Sequence, residues 1–207
     1  AKKSANGALA FLQTLVGWLI NIYVEIFRGT PMIVQAMVIY YGSAQFLGIS
    51  MDKTLAALLI VSINTGAYMS EIVRGGIFAV DTGQFEAASA LGMNHGQTMR
   101  QIVLPQVIRN ILPATGNEFV INIKDTSVLN VISITELFFR GNTVAQQNYQ
   151  YFQTFTIIAA IYFVLTFTVT RILRFVEKKL DSETYTTGAN QMQVTLEEAT
   201  AELGGEK

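Results

Sequence analysis

Two series of polar side chains in the sequence have the residue types and the spacing of a solute-binding surface. Their members are Asn64, Tyr68 and Glu71 in the first series, and Glu118, Asn122 and Asp125 in the second. Residues spaced by four and then three positions lie on one face of a helix. The carboxylates of Glu118 and Asp125 suit an ammonium group, whereas Lys124 or a helix N-terminus suits a carboxylate. These residues predict recognition of a small charged solute.

The same polar residues also have a purely structural interpretation. Glu71 and Arg74 are three positions apart and suit an ion pair along one helix. The two asparagines of the series suit hydrogen bonds between helices, and Lys124 and Asp125 suit pairs with neighbouring helices. Both interpretations stay open at the level of the sequence.

Catalytic chemistry has little support in the sequence. The chain has no cysteine and only one histidine, His95, which excludes thiol catalysis and a metal site built from several histidines. It has no GxxxxGK[ST] loop that could hold the phosphates of a nucleotide. The net charge of −1 does not suggest a nucleic acid partner. These observations leave no candidate catalytic residue and no candidate metal site in the sequence.

The elements that must hold the polar series are apolar. Of the 207 residues, 51% are hydrophobic and 14% are charged, and the mean hydropathy is +0.38. Soluble domains have about 25% charged residues, so this composition indicates a membrane protein. Four stretches approach the length of a membrane helix, namely residues 7–27, 31–48, 54–73 and 151–170. A fifth, 106–139, is interrupted by Pro113 and charged residues, and predicts a broken or polar-lined span.

The first apolar stretch is ambiguous, because it suits either the membrane interface or the lower part of a span that continues past Pro31. The boundary itself is clear in the sequence. Gly29 suits the end of a helix, Thr30 suits an N-cap, and Pro31 suits the first position of the next helix. We expect one helix to end here and another to begin at once.

A polar segment between the spans, residues 81–105, predicts two short helices joined by a glycine turn. Asp81 suits an N-cap with Gln84 three positions later, and Gly92 suits a left-handed C-terminus. An apolar face is predicted from the spacing of Phe85, Ala88 and Leu91. The second helix is predicted from Asn94 as its cap, with Gln97 three positions later and with Met99, Ile102 and Val103 as its apolar face. We expect Pro105 to close it.

Basic residues predict the orientation of the chain. One set of loops and helix ends holds Lys2, Lys3, Arg74, Arg100, Arg109, Arg171, Arg174, Lys178 and Lys179, whereas the opposite loops hold only Lys53 and Arg140. By the positive-inside rule, residues 81–105 and the C-terminus are cytoplasmic. Residues 1–180 then form a transmembrane domain. Residues 181–207 form a polar, acidic tail that lacks the apolar content for a core and is predicted to be flexible.

The central segment resembles a known signature. Glu86-Ala87-Ala88, then Gly92, then Ile102-x-Leu104-Pro105 matches the "EAA" motif of bacterial ATP-binding-cassette (ABC) importer permeases at every defining position. The stretches 23–31, 67–77, 116–119 and 124–127 resemble the polar amino acid branch of that family, of the histidine, glutamine and arginine type. The resemblance covers roughly residues 9–180. Such permeases commonly begin with one more membrane helix, so we expect the usual first span to be missing here.

The resemblance implies a fold and a function. The fold would be an all-α, polytopic transmembrane helical bundle of the type I importer kind, with about four to five spans and cytoplasmic coupling helices. The residues implied in coupling to the ATPase are Glu86, Ala87, Ala88, Gly92, Ile102, Leu104 and Pro105. The chain would carry a polar amino acid across the bacterial cytoplasmic membrane. The chain would hold no cofactor and would not itself be an enzyme, because ATP and Mg²⁺ would be bound by a partner ATPase.

The implied assembly has several members. A second permease chain, identical or related, would complete the path, two ATPase subunits would dock from the cytoplasm, and an extracytoplasmic binding protein would deliver the amino acid. Two other functions remain open. An ion-coupled secondary carrier would predict inverted repeats and unwound helix pairs, and neither is clear in the sequence. A membrane assembly protein without a substrate would leave the two polar series unexplained, and residues 81–105 could merely link two spans.

Overall fold

The structure, a computed structural model, describes the backbone of residues 7–204 and the side chains of residues 7 and 9–179. Lys2, Lys3 and the side chains of the predicted tail lie outside the described residues. Within that part the chain is helical: α1 Gly7–Gly29, α2 Met32–Leu47, α3 Lys53–Phe78, α4 Thr82–Ala90, α5 His95–Thr98, a π-helical turn Met99–Val103, α6 Leu104–Asp125, a 3₁₀ turn Thr126–Ile132, α7 Leu137–Asn148 and α8 Tyr151–Gly204. The all-α prediction is confirmed.

Among the residues that the structure describes, three helices are long and apolar enough to cross a membrane: Leu9–Gly29, Lys53–Phe78 and Tyr151–Lys179. Helix α2 is apolar but shorter, with 16 residues. In the most apolar windows of α1 and α8 only 6% of residues are buried within the chain. Such outward apolar surface is the surface that a bilayer or a further helix covers.

The predicted break between the first two helices is present. Helix α1 ends at Gly29 and α2 begins at Met32, with Pro31 as its N-cap. The prediction that Thr30 caps α2 is wrong, because its hydroxyl instead donates to the carbonyl of Ile26, 2.8 Å away. A threonine hydroxyl within reach of the preceding turn commonly bonds back to that turn.

The fifth apolar region is interrupted later than its sequence suggests. Helix α6 passes through Pro113 without ending and continues to Asp125. The break comes at the 3₁₀ turn, after which Ser133 has a left-handed backbone with φ 61°. Glu136 then starts α7, since its carboxylate accepts hydrogen bonds from the backbone N–H groups of Phe138 (2.7 Å) and Phe139 (2.5 Å).

The prediction that Pro105 closes the second short helix is also wrong. The helix continues through the π-helical turn directly into α6, with the backbone N–H of Leu104 donating to the carbonyl of Met99. Proline lacks an N–H and clashes with the carbonyl four positions before it. A π turn shifts the hydrogen-bond register by one residue and so absorbs this conflict without ending the helix.

Two buried clusters hold the helices together. The first joins α2, α3 and the 3₁₀ turn and consists of Met32, Ala36, Ala56, Ala57, Ile60, Leu129 and Ile132. The second joins the end of α3 to the π turn and α6 through Val80, Val103 and Val107. In addition, α6 packs along α3 and α8, and α7 packs on α8. The central segment is therefore packed against the two helices, α3 and α6, that flank it in the chain.

Candidate functional site

The first short helix of the central segment, α4, has a defined start and end. The Asp81 carboxylate accepts a hydrogen bond of 2.7 Å from the backbone N–H of Gly83. At the other end, the N–H of Met93 donates to the carbonyl of Ala88 and the N–H of Gly92 to that of Ser89, both at 3.0 Å. With Gly92 at φ +74°, this pair of bonds is a Schellman motif. The left-handed position predicted for Gly92 is confirmed.

The second short helix begins with the predicted capping box. The side chain of Asn94 accepts from the backbone N–H of Gln97 at 3.0 Å, and the side chain of Gln97 accepts from the N–H of Asn94 at 2.9 Å. Each side chain thus satisfies a backbone donor that a helix N-terminus leaves free. We call residues 81–105 with these two short helices the hairpin.

The hairpin is attached to α3 and α6 by apolar contacts on its inner side. Ala88 is fully buried, and Phe85 packs against the cluster of Val80, Val103 and Val107. The expectation that Leu91 shares this inner face is wrong, since its side chain is 79% exposed. Leu91 follows the last residue of α4, where the Schellman turn redirects the backbone.

The residues implied in coupling divide between the two sides of the hairpin. Ala88 is buried and Ile102 is half-buried, so both contribute to holding the hairpin in place. Glu86, Ala87 and Gly92 are exposed on α4 and its turn, and Leu104 and Pro105 are exposed at the start of α6. Together with Leu91, the exposed part of α4 offers one charge, small side chains and one large apolar group to a partner.

On α3, the buried Asn64 bonds to the break between α1 and α2. Its side-chain amide donates to the side-chain oxygen of Gln35 at 2.9 Å and approaches the carbonyl of Phe27 at 3.4 Å. Gln35 is itself buried. Gln35 is not among the predicted site residues, although a glutamine four positions after Pro31 in an apolar stretch is a signal for such a role.

Tyr68 and Glu71 also face the end of α1. The Glu71 carboxylate forms ion pairs with Arg74 at 2.6 Å and with Arg28 at 3.3 Å. The guanidinium of Arg28 lies 5.5 Å from the centre of the Tyr68 ring, a cation–π distance. The ion pair between Glu71 and Arg74 is thus present, and Arg28, which is not among the predicted site residues, adds a second cation.

The second polar series, on α6, is bonded differently. Asn122 accepts a hydrogen bond of 3.1 Å from the hydroxyl of Thr65 on α3. Glu118 is buried, with 7% exposure, and Asp125 is half-buried. Within the described part of the chain, neither carboxylate accepts a hydrogen bond or forms an ion pair. Lys124 is exposed and likewise has no ion pair among the described residues.

The structure does not bring the two polar series together. The α3 series points to the break after α1, whereas the α6 series meets α3 through Thr65. A cavity of about 510 Å³ between α6 and α8 is lined by Asn122 and Thr126, and by Glu136 and Tyr162. The Tyr162 hydroxyl donates to the Glu136 carboxylate at 3.1 Å. Among the described residues, no group of three or more histidine, aspartate or glutamate side chains could hold a metal ion.

Comparison with known proteins identifies the family. Residues 7–182 match the family described as "Binding-protein-dependent transport system inner membrane component". The chain belongs to this family. It is 40% identical over 165 residues to the arginine transport system permease protein ArtQ of Bacillus subtilis, covering 80% of this chain and 75% of ArtQ. It is 36% identical over 180 residues to the glutamine transport system permease protein GlnP of Escherichia coli K12, covering 84% and 82%.

Solved structures agree with this assignment. The permease is similar to a chain in the crystal structure of an amino acid ABC transporter with histidines, at 40% identity and a TM-score of 0.74, covering 85% of this chain and 78% of that one. It also matches the inward-facing MetNI methionine ABC transporter at 18% identity, covering 83% of this chain and 77% of that one, with a TM-score of 0.63. The second likeness concerns the fold alone.

Several predictions from the sequence are thereby confirmed. The chain is a multi-pass permease subunit of an ABC importer in the inner membrane, and it works with an ATPase and a binding protein. It is not an enzyme itself, because ATP is hydrolysed by the separate ATPase subunit. The nucleotide is bound by that partner, and the permease subunit carries no cofactor.

Proposed function

We propose that this permease carries a polar amino acid with a cationic side chain into the cytoplasm. The observation that supports the proposal is Glu118, a buried carboxylate without a counter-ion among the described residues. A buried charge is costly unless it is paired, and charged groups within membrane helices usually mark a substrate path. A cationic substrate supplies the missing charge. The arginine permease among the relatives has the same substrate class in its name.

The substrate path in this proposal follows the polar face of α6. Asn122 and Asp125 lie one and two turns beyond Glu118 towards the far end of the helix. The α3 series, with Asn64, Tyr68 and Glu71, contributes to this path indirectly, because it holds the break after α1 in position. A neutral substrate such as glutamine, named for the GlnP relatives, is the second candidate, with the amide of Asn122 as its best partner.

The hairpin in this proposal docks into a groove of the ATPase. Glu86 provides a charge for a basic or polar partner, Ala87 allows close approach, and Gly92 sets the angle between the two short helices. When two ATPase subunits close, the docked hairpins move and tilt the helices that continue from them. The direct continuation of the hairpin into α6 supports this transmission.

The remaining features of the assembly are proposed on the same basis. A second permease chain, identical or related, completes the path, two ATPase subunits dock on the hairpins, and one binding protein delivers the substrate. The hairpin and the C-terminus are cytoplasmic. Residues 1–180 form the permease domain, and residues 181–207 form a polar, acidic cytoplasmic extension, in which α8 continues to Gly204.

The test is reconstitution of the permease with its ATPase and binding protein in proteoliposomes. Glu86→Lys is expected to abolish ATPase association and ATP-driven uptake of arginine while membrane insertion is unchanged. Asn110→Lys, which places the same side chain at an exposed site of α6, is the matched control and retains both activities. Normal uptake by Glu86→Lys would refute its coupling role, and uptake driven by an ion gradient without the ATPase would indicate a secondary carrier.

A further inference from the structure

The break between α1 and α2 is stabilised in an unusual way. The carbonyl of Phe27, near the end of α1, lies four positions before Pro31, which has no N–H to donate to it. The side-chain amide of Gln35 takes the place of that donor, with its Nε2 at 2.9 Å from the Phe27 carbonyl oxygen. A backbone carbonyl without a donor is strongly unfavourable in a membrane, so the Gln35 amide compensates for the N–H that Pro31 lacks.

The same amide also contacts Thr30, which lies between the two helices. Nε2 of Gln35 lies 2.8 Å from the carbonyl of Thr30 and 2.9 Å from its hydroxyl oxygen. Its Oε1 accepts from Asn64 on α3 at 2.9 Å. Both ends of one side chain are thus occupied, one by the break and the other by α3. The residue is buried, with 6% exposure, so water does not compete for these bonds.

Further contacts near the break join α1 to α3. The hydroxyl of Tyr23 donates to the carbonyl of Ile63 at 2.6 Å, and Arg28 pairs with Glu71. Helix α3 ends just before the hairpin, and Val80, between the two, is buried against Val103 and Val107. A displacement of the hairpin is therefore transmitted to α3 as well as to α6.

We infer that Gln35 is a positioning residue that makes the α1–α2 break and α3 a single moving unit. In this view the break follows α3 when the ATPase acts on the hairpin, and the bond between Gln35 and Asn64 fixes their register. The inference rests on the proposed coupling role of the hairpin. Gln35 and Asn64 thus not only provide donors for the Phe27 carbonyl but also hold the break and α3 in a fixed relative position.

The test measures the distance between the break and α3 in the complete complex with its ATPase. The chain has no native cysteine, so spin labels can be placed at Gly29→Cys, where a side chain meets no atom within 4 Å, and at the exposed Ser62→Cys. We expect the same narrow distance distribution with and without trapped nucleotide. In Gln35→Met, which has a similar shape but no amide, the distribution is expected to broaden and to differ between the two states. A nucleotide-dependent distance in the parent protein, or an unchanged distribution in Gln35→Met, would overturn the inference.

A second variant separates positioning from simple filling of the break. Gln35→Met with Pro31→Ala restores a backbone N–H four positions after Phe27 but leaves Asn64 without its bond to Gln35. We expect the double variant to regain the melting temperature that Gln35→Met alone loses, while its distance distribution stays broad. Recovery of both would show that Gln35 only fills the break. Tyr41→Phe removes a different interhelical bond of α2, to the Val131 carbonyl, and is expected to leave the distribution narrow.

The distance measurement is independent of substrate, so its result is distinct from that of the uptake experiment. Uptake fails if the substrate class is wrong, whereas the distances depend only on the ATPase and the break. A broad distribution in Tyr41→Phe equal to that in Gln35→Met would also overturn the inference, because any loosening of α2 would then suffice.

Discussion

At the scale of single residues, the protein depends on positions where the side chain, or its absence, is required by the backbone or by charge. Gly92 occupies a left-handed conformation at φ +74°, which costs a residue with a Cβ atom about 1–2 kcal/mol. Gln35 replaces a donor that Pro31 lacks. Glu118 is a buried carboxylate without a counter-ion among the described residues. Each of these features is local enough to be tested by one substitution.

Gly92→Ala is expected to weaken association with the ATPase, because the turn must distort to relieve the left-handed strain and so changes the angle of the hairpin. Gly92→Asn is the matched comparison, since asparagine tolerates this conformation better than alanine. Co-purification of the ATPase in detergent measures the effect. The amount of ATPase retained is expected to fall from the parent protein to Gly92→Asn and further to Gly92→Ala. Equal retention by the two variants would contradict the strain argument.

Glu118→Gln is expected to reduce the affinity for arginine at least about 30-fold, because loss of one partner of a buried charged pair costs about 2–5 kcal/mol. The variant keeps the size of the side chain and removes only its charge. Concentration-dependent uptake of arginine in proteoliposomes measures this, with glutamine uptake by the same variant as the control. An equal loss for both amino acids would show a general structural defect instead of lost charge recognition.

At the scale of elements, the hairpin and α6 form one continuous helical path from His95 to Asp125. The helix continues through Pro105 because the π turn changes the hydrogen-bond register. The side-chain amide of Gln106 donates to the carbonyl of Ile102 at 2.9 Å and so provides a hydrogen-bond donor for a carbonyl of the π turn. A helix that is continuous in this way transmits a displacement of its end more directly than a hinged connection does.

Asn94→Ala is expected to destabilise the start of α5 by about 0.5–2 kcal/mol, since it removes the side-chain acceptor of the capping box. Hydrogen exchange of the amides of Gln97 and Thr98, which donate to Asn94, measures this, with about a 2- to 30-fold loss of protection expected. Asn110→Ala, at an exposed site in the interior of α6, should leave those amides unchanged. Unaltered protection in Asn94→Ala would mean that the contacts of the buried Thr98 hold this turn without the cap.

At the scale of the whole molecule, α3 and α6 pack closely on each other. These two helices carry the two polar series, and the hairpin lies between them in the chain. Gly76 allows the two helices to approach, because a Cβ atom there would lie 2.2 Å from Cγ2 of Ile111 and 3.3 Å from Cγ1 of Val107. Ile111 is β-branched and has few alternative rotamers. The backbones must therefore separate if the glycine gains a side chain.

Gly76→Ala is expected to lower the melting temperature of the permease, as overpacking costs about 1–3 kcal/mol. Gly75→Ala is the matched control, because a Cβ atom at Gly75 meets nothing within 4 Å. In the double variant with Ile111→Ala, the Gly76→Ala effect should shrink, giving a favourable coupling energy in a double-mutant cycle. Strictly additive losses would contradict direct contact as the cause.

Local features of the fold follow from the sequence because they involve residues close together in the chain. The capping box at Asn94, the left-handed Gly92 and the break at Gly29 depend on neighbours within a few positions. Apolar stretches likewise predict the membrane helices from composition. The local predictions that failed, for Thr30, Leu91 and Pro105, are ones where a competing bond or a shift of register prevailed over the usual preference of the residue.

The sequence by itself determined the all-α membrane character, the three long apolar helices and the family, since composition and the spacing of the "EAA" signature can be recognised without any knowledge of contacts. Only the tertiary structure decided which polar residues are already bonded. Asn64 has Gln35 as its partner, 29 positions away, and Glu71 has Arg28, whereas Glu118 has none among the described residues. Helical spacing places a side chain on a face, but the partner of that face is set by how distant helices pack.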